Sequence, residues 1–258
     1  MRRIETEAVL STLIHADSKE GKTTLASTAP TPHLVLDAEG SWKFIDEAGF
    51  RSGKPLRKKT WNPLIEPVPR VADNDPWDLV RVNVHSWDVM SHTYRHLVQS
   101  EHDFVSITLD SVTEAQRRCK KNIRAGTEQM QHQQWGQLLD QMDGLIRGFR
   151  DLTLLPNPIR VVNFVSETVM KDGKWRPYMQ GQIRDTMPYF VDICGYLFTE
   201  LRPNGDQQDK VKRLLIGAGV NPGYLAGERV QGRLPDIIDN PNIADMLAKV
   251  YPNFEENA

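Results

Sequence analysis

One segment constrains the fold more than any other. Ala16-Asp-Ser-Lys-Glu-Gly-Lys-Thr23 follows directly on the apolar run Ala8–Ile14 and leads into Thr24, Leu25 and Ala26 in helix-compatible order. The spacing is that of G-x-x-x-x-G-K-[ST], with Ala16 in place of the first glycine. Such a loop operates between a buried strand and a helix, because its backbone N–H groups curl around phosphates while the helix presents its positive N-terminal end to them. The sequence therefore predicts a strand, a phosphate loop and a helix over Ala8–Ala26. Asp17, Ser18, Lys19, Glu20, Gly21 and Thr24 join Ala16 in the cradle for ATP. Lys22 reaches the β- and γ-phosphates, and the Thr23 hydroxyl binds Mg²⁺. Ala16 brings a Cβ to a position where glycine could adopt positive φ. A G-K-T triplet alone would suit a lysine-capped surface turn equally well; the strand before it and the helix after it favour the phosphate reading.

Other apolar runs recur along the chain at His33–Leu36, Leu79–Val84, Phe104–Leu109, Ile159–Val165, Val191–Phe198 and Lys212–Ile216, with helix-like stretches between several of them. Continuous apolar strands separated by helices imply a mostly parallel central sheet flanked by helices, because strands buried on two faces lose polar alternation. The fold class expected is α/β. With 39% hydrophobic and 26% charged residues the chain has a folded domain's composition, and 258 residues fit a single unit over 1–258. A formal charge of −2 neither supports nor excludes a nucleic-acid partner. Cys119 and Cys194 lack metal or redox spacing, and His15, His92 and His96 lack a zinc-site pattern. No signal-like leader and no apolar stretch long enough to span a bilayer is evident, so a cytoplasmic location and no membrane partner are expected.

Two further strands end in acids. Phe104–Asp110 delivers Asp110 as a Mg²⁺ partner for Thr23, although Asp110-Ser111 alone could equally begin a turn. The run from His33 ends in Asp37-Ala-Glu39-Gly40, placing two carboxylates at the sheet edge where α/β proteins bind ligands. Two residues apart on an extended strand, Asp37 and Glu39 are expected to point the same way. An acidic turn capping the next helix is the alternative.

Two stretches interrupt the pattern. Residues 50–77 carry repeated prolines and a basic run, and read as an insertion or long loop rather than core. Val169–Pro188 surrounds Trp175 and Tyr178 with Lys171, Lys174, Arg176 and Arg184, and reads as a functional loop. Residues 240–258 suggest a short helix after Pro241 and an acidic tail.

The phosphate loop and the two acidic strands, in this order, resemble the RecA-like ATPases, and within them the compact phage-encoded recombination ATPases. The resemblance implies a RecA-like P-loop NTPase core of the AAA type, with Glu39 as the catalytic glutamate and Asp110 on the Mg²⁺ strand. Val161–Glu167 is similar to the strand whose end senses the γ-phosphate, with Ser166 and Glu167 where bacterial recombinases have Asn-Gln. Val169–Pro188 and Cys119–Trp135 occupy the places of DNA-binding loops, which implies DNA contacts from Lys171, Lys174, Arg176, Tyr178, Lys120, Lys121 and Arg124. Ala226–Pro235 is similar to a family motif near the C-terminus, making Arg229, with Arg233 in reserve, a candidate for reaching the γ-phosphate of a neighbouring subunit.

The resemblance implies an ATPase acting on single-stranded DNA in recombination, replication or repair, within a host bacterium. It also implies a homo-oligomeric ring or filament with ATP between subunits. Cations that follow phosphates and rings that stack on bases suit single strands, although a basic surface loop can also be merely solvated. A nuclease in which Asp37, Glu39 and Glu167 converge with Asp110, a small-molecule kinase, and a nucleotide-bound assembly protein with little turnover remain as alternatives.

Overall fold

A computed structural model describes residues 8–45, 56–72, 75–124, 126, 129–205 and 207–252. In chain order the elements are β1 (Leu10–Ala16), α1 (Lys22–Ala26), β2 (His33–Asp37), β3 (Lys58–Thr60), β4 (Leu79–Asn83), α2 (Trp87–Gln99), β5 (Ser106–Asp110), α3 (Val112–Arg124), α4 (His132–Asp151), β6 (Val161–Lys171), β7 (Lys174–Pro177), α5 (Ile183–Thr186), β8 (Ile193–Asn204), β9 (Gln207–Leu215), β10 (Gly227–Glu228), β11 (Ile237–Asp239) and α6 (Ile243–Val250). The strands form one sheet in the order β11-β9-β8-β1-β6-β5-β2-β4-β3, with β10 added to β8 and β7 to β6. From β8 to β3 every neighbouring pair on this path is parallel; β9 and β11 are antiparallel additions at one edge. The expected mostly parallel α/β sheet is thus present.

Both faces of the sheet are covered, and strand alternation assigns each side chain to a face. Leu13, Leu34, Leu36, Ile107, Leu109, Val162 and Phe164 pack against α2, α3 and α4. Leu10, Ile14 and Val161 face the other way, toward α1 and α6. The α6 helix buries Ile243, Met246, Leu247 and Val250, each worth about 1.5–3 kcal/mol. Its N-terminus is tied to the turn after α1 by Ile243 N donating to Thr28 Oγ1 at 2.8 Å.

A polar ladder crosses the buried sheet. Thr12 Oγ1 donates to Asn163 Oδ1 at 2.9 Å, Asn163 Nδ2 donates to Thr108 Oγ1 at 3.2 Å, and His33 Nε2 lies 2.8 Å from the same hydroxyl. The ladder satisfies groups whose unpaired burial would cost about 1–3 kcal/mol each, and it opposes slippage of β1, β6, β5 and β2.

Several expectations require correction. Part of the supposed insertion is core: β3 completes the parallel edge beside β4, and Trp61 and Trp77 are both 2% exposed, packed around Phe104. Prolines directed the sequence reading toward a loop, but tryptophan burial and backbone pairing outweigh them here. Residues 50–55 and 73–74 of that stretch, including Lys54 and Pro55, lie outside the described residues, as does the acidic tail from 253 onward. The basic stretch Val169–Pro188 is no open loop. Its first part is a hairpin in which β6 continues past the sheet and pairs with β7 around Asp172 and Gly173, both at positive φ. Its second part contains α5. Cys119–Trp135 is likewise largely helical, because Val112, Ala115 and Cys119 bury one stripe of α3.

Burial pushes the pKa of His33 down to about 3 from its ordinary 6.5. Unfolding restores the ordinary value, so the unfolded chain binds more protons, and this histidine's contribution is complete above pH 6.5 and lost progressively as pH falls toward 3. His33→Gln is expected to flatten the fall of unfolding free energy between pH 6.5 and 4, read by urea denaturation; an unchanged slope would contradict a neutral buried His33.

Candidate nucleotide site

The loop between β1 and α1 lies at the carboxyl edge of the parallel strands, beside the ends of β2, β5 and β6. Its turn places Lys19 at φ 66° and Gly21 at φ 91°, and α1 starts at Lys22. Ala16 is not among the positive-φ residues. It remains extended at the end of β1, with its methyl buried among Leu10, Ile14, Leu25 and Ala29. The restriction anticipated from its Cβ therefore does not arise, because the left-handed conformations fall at 19 and 21. Lys22 Nζ donates to the carbonyl oxygens of Ala16 at 3.0 Å and Asp17 at 2.8 Å, arching over the loop. Burial pulls the lysine below its usual pKa, opposed by the carboxylates of Glu39, Asp110, Glu167 and Asp17.

Asp110 lies at the centre of this edge. Its Oδ2 accepts from Thr23 Oγ1 at 2.7 Å, Trp42 Nε1 at 2.8 Å and Ser41 Oγ at 3.4 Å, and Thr23 and Ser41 are themselves 3.3 Å apart. Burial raises its carboxyl to about 6; the Thr23 hydrogen bond opposes the rise, and the nearby Glu39 charge adds to it. A buried carboxylate and a threonine hydroxyl meeting below a phosphate loop, with a second carboxylate nearby, form an oxygen donor set suited to Mg²⁺. Thr23 and Asp110 are the residues that would hold it.

Asp37 and Glu39 do not point together, contrary to the strand-alternation expectation. The strand ends at Asp37, and Gly40 turns the chain at φ 76°. Asp37 folds inward, accepting from the N–H groups of Gly40 at 2.7 Å and Ser41 at 3.2 Å, and pairs with Arg81 at 2.8 Å. Its role is to shape the turn. Glu39 instead accepts a hydrogen bond from Ser111 Oγ, which holds its carboxylate beside Asp110 and near Lys22. Glu167 is drawn to Arg117, at 3.1 and 3.2 Å. The convergence a nuclease would need is not formed, and no group of three or more His, Cys, Asp or Glu suited to a metal occurs among the described residues.

The sheet brings together some of the basic residues. Lys120, Lys121, Arg124 and Tyr178 line one cavity of about 260 Å³, with Arg117, Thr113, Gln116, Met179 and Gln180. Lys120 lies 4.7 Å over the Trp135 ring and donates to Gln180 at 3.3 Å. Lys171 and Lys174 sit apart, at the tip of the β6–β7 hairpin, and Arg176 reaches Asp185 at 3.4 Å on the wall of another cavity, of about 580 Å³. Arg229 is on that second wall, its guanidinium donating to the Tyr189 carbonyl. Its backbone N–H donates to Asp192, which pairs with Ser11, near the start of β1 and away from the chain's own phosphate loop. Arg233 donates to the Val250 carbonyl at 3.0 Å.

Sequence reasoning missed Trp42, Ser41 and Arg81, which shape the acidic edge, and Arg117. The last had a readable signal: Thr113, Gln116, Arg117, Lys120, Lys121 and Arg124 share one helical face. Cys119 and Cys194 are buried thiols with pKa raised by burial to about 12, and His96 Nε2 lies 3.0 Å from the Pro63 carbonyl oxygen. Among the described residues no helix is long and apolar enough to cross a membrane.

A parallel sheet with a lysine-bearing phosphate loop at its carboxyl edge, and a threonine and buried aspartate joined beneath that loop, defines a P-loop nucleotide-binding protein. The chain belongs to the AAA domain family, whose model matches residues 9–230. Membership implies nucleotide binding and ATP hydrolysis as the class activity. No curated protein matches the chain. Among solved structures it is similar to one described as a prototypical ATPase from the type III secretion system of pathogenic bacteria, at 14% identity and a TM-score of 0.43. That alignment covers 73% of this chain and 52% of the other, so this chain spans about half the length of that protein.

Ser111 follows directly on Asp110 in the chain, and its hydroxyl donates to Glu39. Ser111→Ala is expected to lower the ATP turnover rate by roughly ten- to a hundredfold while leaving nucleotide affinity within about twofold, the pattern of a lost positioning contact. Equal turnover by the variant in a steady-state phosphate-release assay would show that Glu39 needs no such restraint.

Proposed function

We propose that the chain is a Mg²⁺-dependent ATPase that acts on single-stranded DNA, with a role in phage recombination, replication or repair. The observation that carries this reading is one helix with two functional ends. The start of α3 follows Asp110 at the nucleotide edge, and its later turns present Arg117, Lys120, Lys121 and Arg124 to a cavity closed by Tyr178. Lys22 and the N–H groups of the loop hold the β- and γ-phosphates, and Thr23 and Asp110 hold Mg²⁺, which offsets phosphate charge when bound. Glu39 orients and deprotonates the attacking water. In the basic cavity the cations take the strand's phosphates, and Tyr178 offers a ring for a base. Lys171 and Lys174, on the separate β6–β7 hairpin, offer two further cations to the strand's phosphates.

The same reading includes a homo-oligomer with ATP at subunit interfaces. Arg229, remote from the phosphate loop of its own chain, acts on the γ-phosphate in a neighbouring subunit; loss of cooperative turnover in Arg229→Ala tests this contact.

Steady-state ATP hydrolysis with and without single-stranded DNA tests the reading directly. Lys22→Ala is expected to abolish hydrolysis, and Glu39→Gln to stop turnover while sparing ATP binding. Hydrolysis indifferent to DNA would remove DNA as the partner, and normal turnover by Glu39→Gln would displace that residue from its role. For the basic cavity, a combined Lys120→Ala, Lys121→Ala and Arg124→Ala variant should lower the salt slope of DNA binding by about 2, at ~0.7 per phosphate contact on a single strand. An unchanged slope in fluorescence titrations would place the DNA elsewhere.

A further inference from the structure

The phosphate loop carries a carboxylate of its own, Glu20, an adverse charge beside a bound polyphosphate. A lysine from a distant part of the chain meets it. β8 runs parallel to β1 only as far as the pairing of His15 with Tyr196, then continues past the sheet edge as a two-stranded arm with β9. On that arm Thr199 and Lys212 stand opposite each other, level with the loop. Lys212 Nζ donates to Glu20 Oε2 at 2.9 Å and to Thr199 Oγ1 at 2.5 Å, and Thr199 Oγ1 donates to Glu20 Oε2 at 2.6 Å. The Lys212 Cε lies 3.7 Å from where a Cβ on Gly21 would stand, so the ammonium stem rests against the glycine preceding Lys22.

We propose that Lys212 is a second phosphate-binding lysine of the nucleotide site, contributed by the β8–β9 arm of the same chain and held beside the loop by Glu20 and Thr199. This deepens the nucleotide reading of the loop and rests on it. An ammonium has three donors, and Glu20 and Thr199 take two, leaving one N–H for a phosphate oxygen. The lysine side chain is 35% exposed and that of Glu20 29%, and a pair so placed contributes little to folding. Structural stabilisation is therefore a weak reason for a carboxylate in a phosphate loop, whereas aiming a cation at the ligand is a strong one. Burial pushes the Glu20 carboxyl up, but hydrogen bonds from Thr199 and Lys212 bring it below its ordinary pKa, so Glu20 is ionised at neutral pH. The arrangement is a restrained cation: Glu20 positions the ammonium and competes with the phosphates for it. Removing the lysine and removing its restraint should consequently have opposite effects.

Calorimetric titration of the full chain with ATP, ADP and AMP in the presence of Mg²⁺ tests this. Lys212→Met is expected to weaken ATP and ADP about tenfold, with AMP affected much less, and Lys212→Arg to recover most of the loss. Glu20→Gln is expected to tighten ATP severalfold, and the double variant to show no such gain. ATP binding by Lys212→Met within twofold of wild type would make the lysine a strut and overturn the proposal. Should that variant not fold, unchanged or weakened ATP binding by a folded Glu20→Gln variant overturns it equally. Failure of the wild type to bind any nucleotide would instead strike the underlying reading of the loop.

Discussion

The hydrogen bond from the Thr23 hydroxyl to the buried Asp110 carboxylate joins the parts on which the site depends. It fastens the first turn of α1 to the end of β5, and the same carboxylate oxygen receives the Trp42 indole from the segment after β2. Three crossovers of the sheet therefore meet on one atom. Burial makes this costly for a lone carboxylate, which is why its pKa rises to about 6 despite the hydrogen bonds it accepts. A place that concentrates negative charge under a phosphate loop is stable only with compensating cations, and Lys22 supplies one, interacting with Glu39, Asp110 and Glu167.

The remaining acids show how strongly local pairing decides function at such an edge. Asp37, Glu39 and Glu167 all come from strand ends at the nucleotide side, yet each is held differently. Asp37 is neutralised by Arg81 and spent on a turn, Glu167 is drawn away by Arg117, and Glu39 is held by a neutral hydroxyl from Ser111. A hydroxyl offers a carboxylate one hydrogen bond and no compensating charge, whereas a guanidinium offers paired donors and a full positive charge. The Arg117–Glu167 pair also makes α3 a physical connection between the nucleotide edge and the basic cavity, reinforced where Thr113 Oγ1 donates to the Tyr178 carbonyl at 2.9 Å.

The central strands were legible because they are short and continuously apolar, and the phosphate loop because its residue types and spacing answer a geometric demand at one place in the chain. Other elements were hidden by competing local signals. Prolines around residues 55–76 concealed β3 and the burial of Trp61. Glycine and lysine in Asp172-Gly173-Lys174 suggested an open loop where a two-residue turn joins paired strands. In α3, the cations drew more notice than the buried stripe of Val112, Ala115 and Cys119 that makes the segment a helix.

By itself the sequence determined that this chain builds a parallel sheet and places a lysine, a threonine and an aspartate where strand ends meet phosphates, because burial period and loop chemistry are local properties. Only the tertiary structure decided which charges remain available. Pairings such as Arg81 with Asp37, Ser111 with Glu39, Arg117 with Glu167 and Lys212 with Glu20 span 44, 72, 50 and 192 positions. No local pattern encodes such separations, since they depend on strand order and on the reach of each side chain across the folded edge.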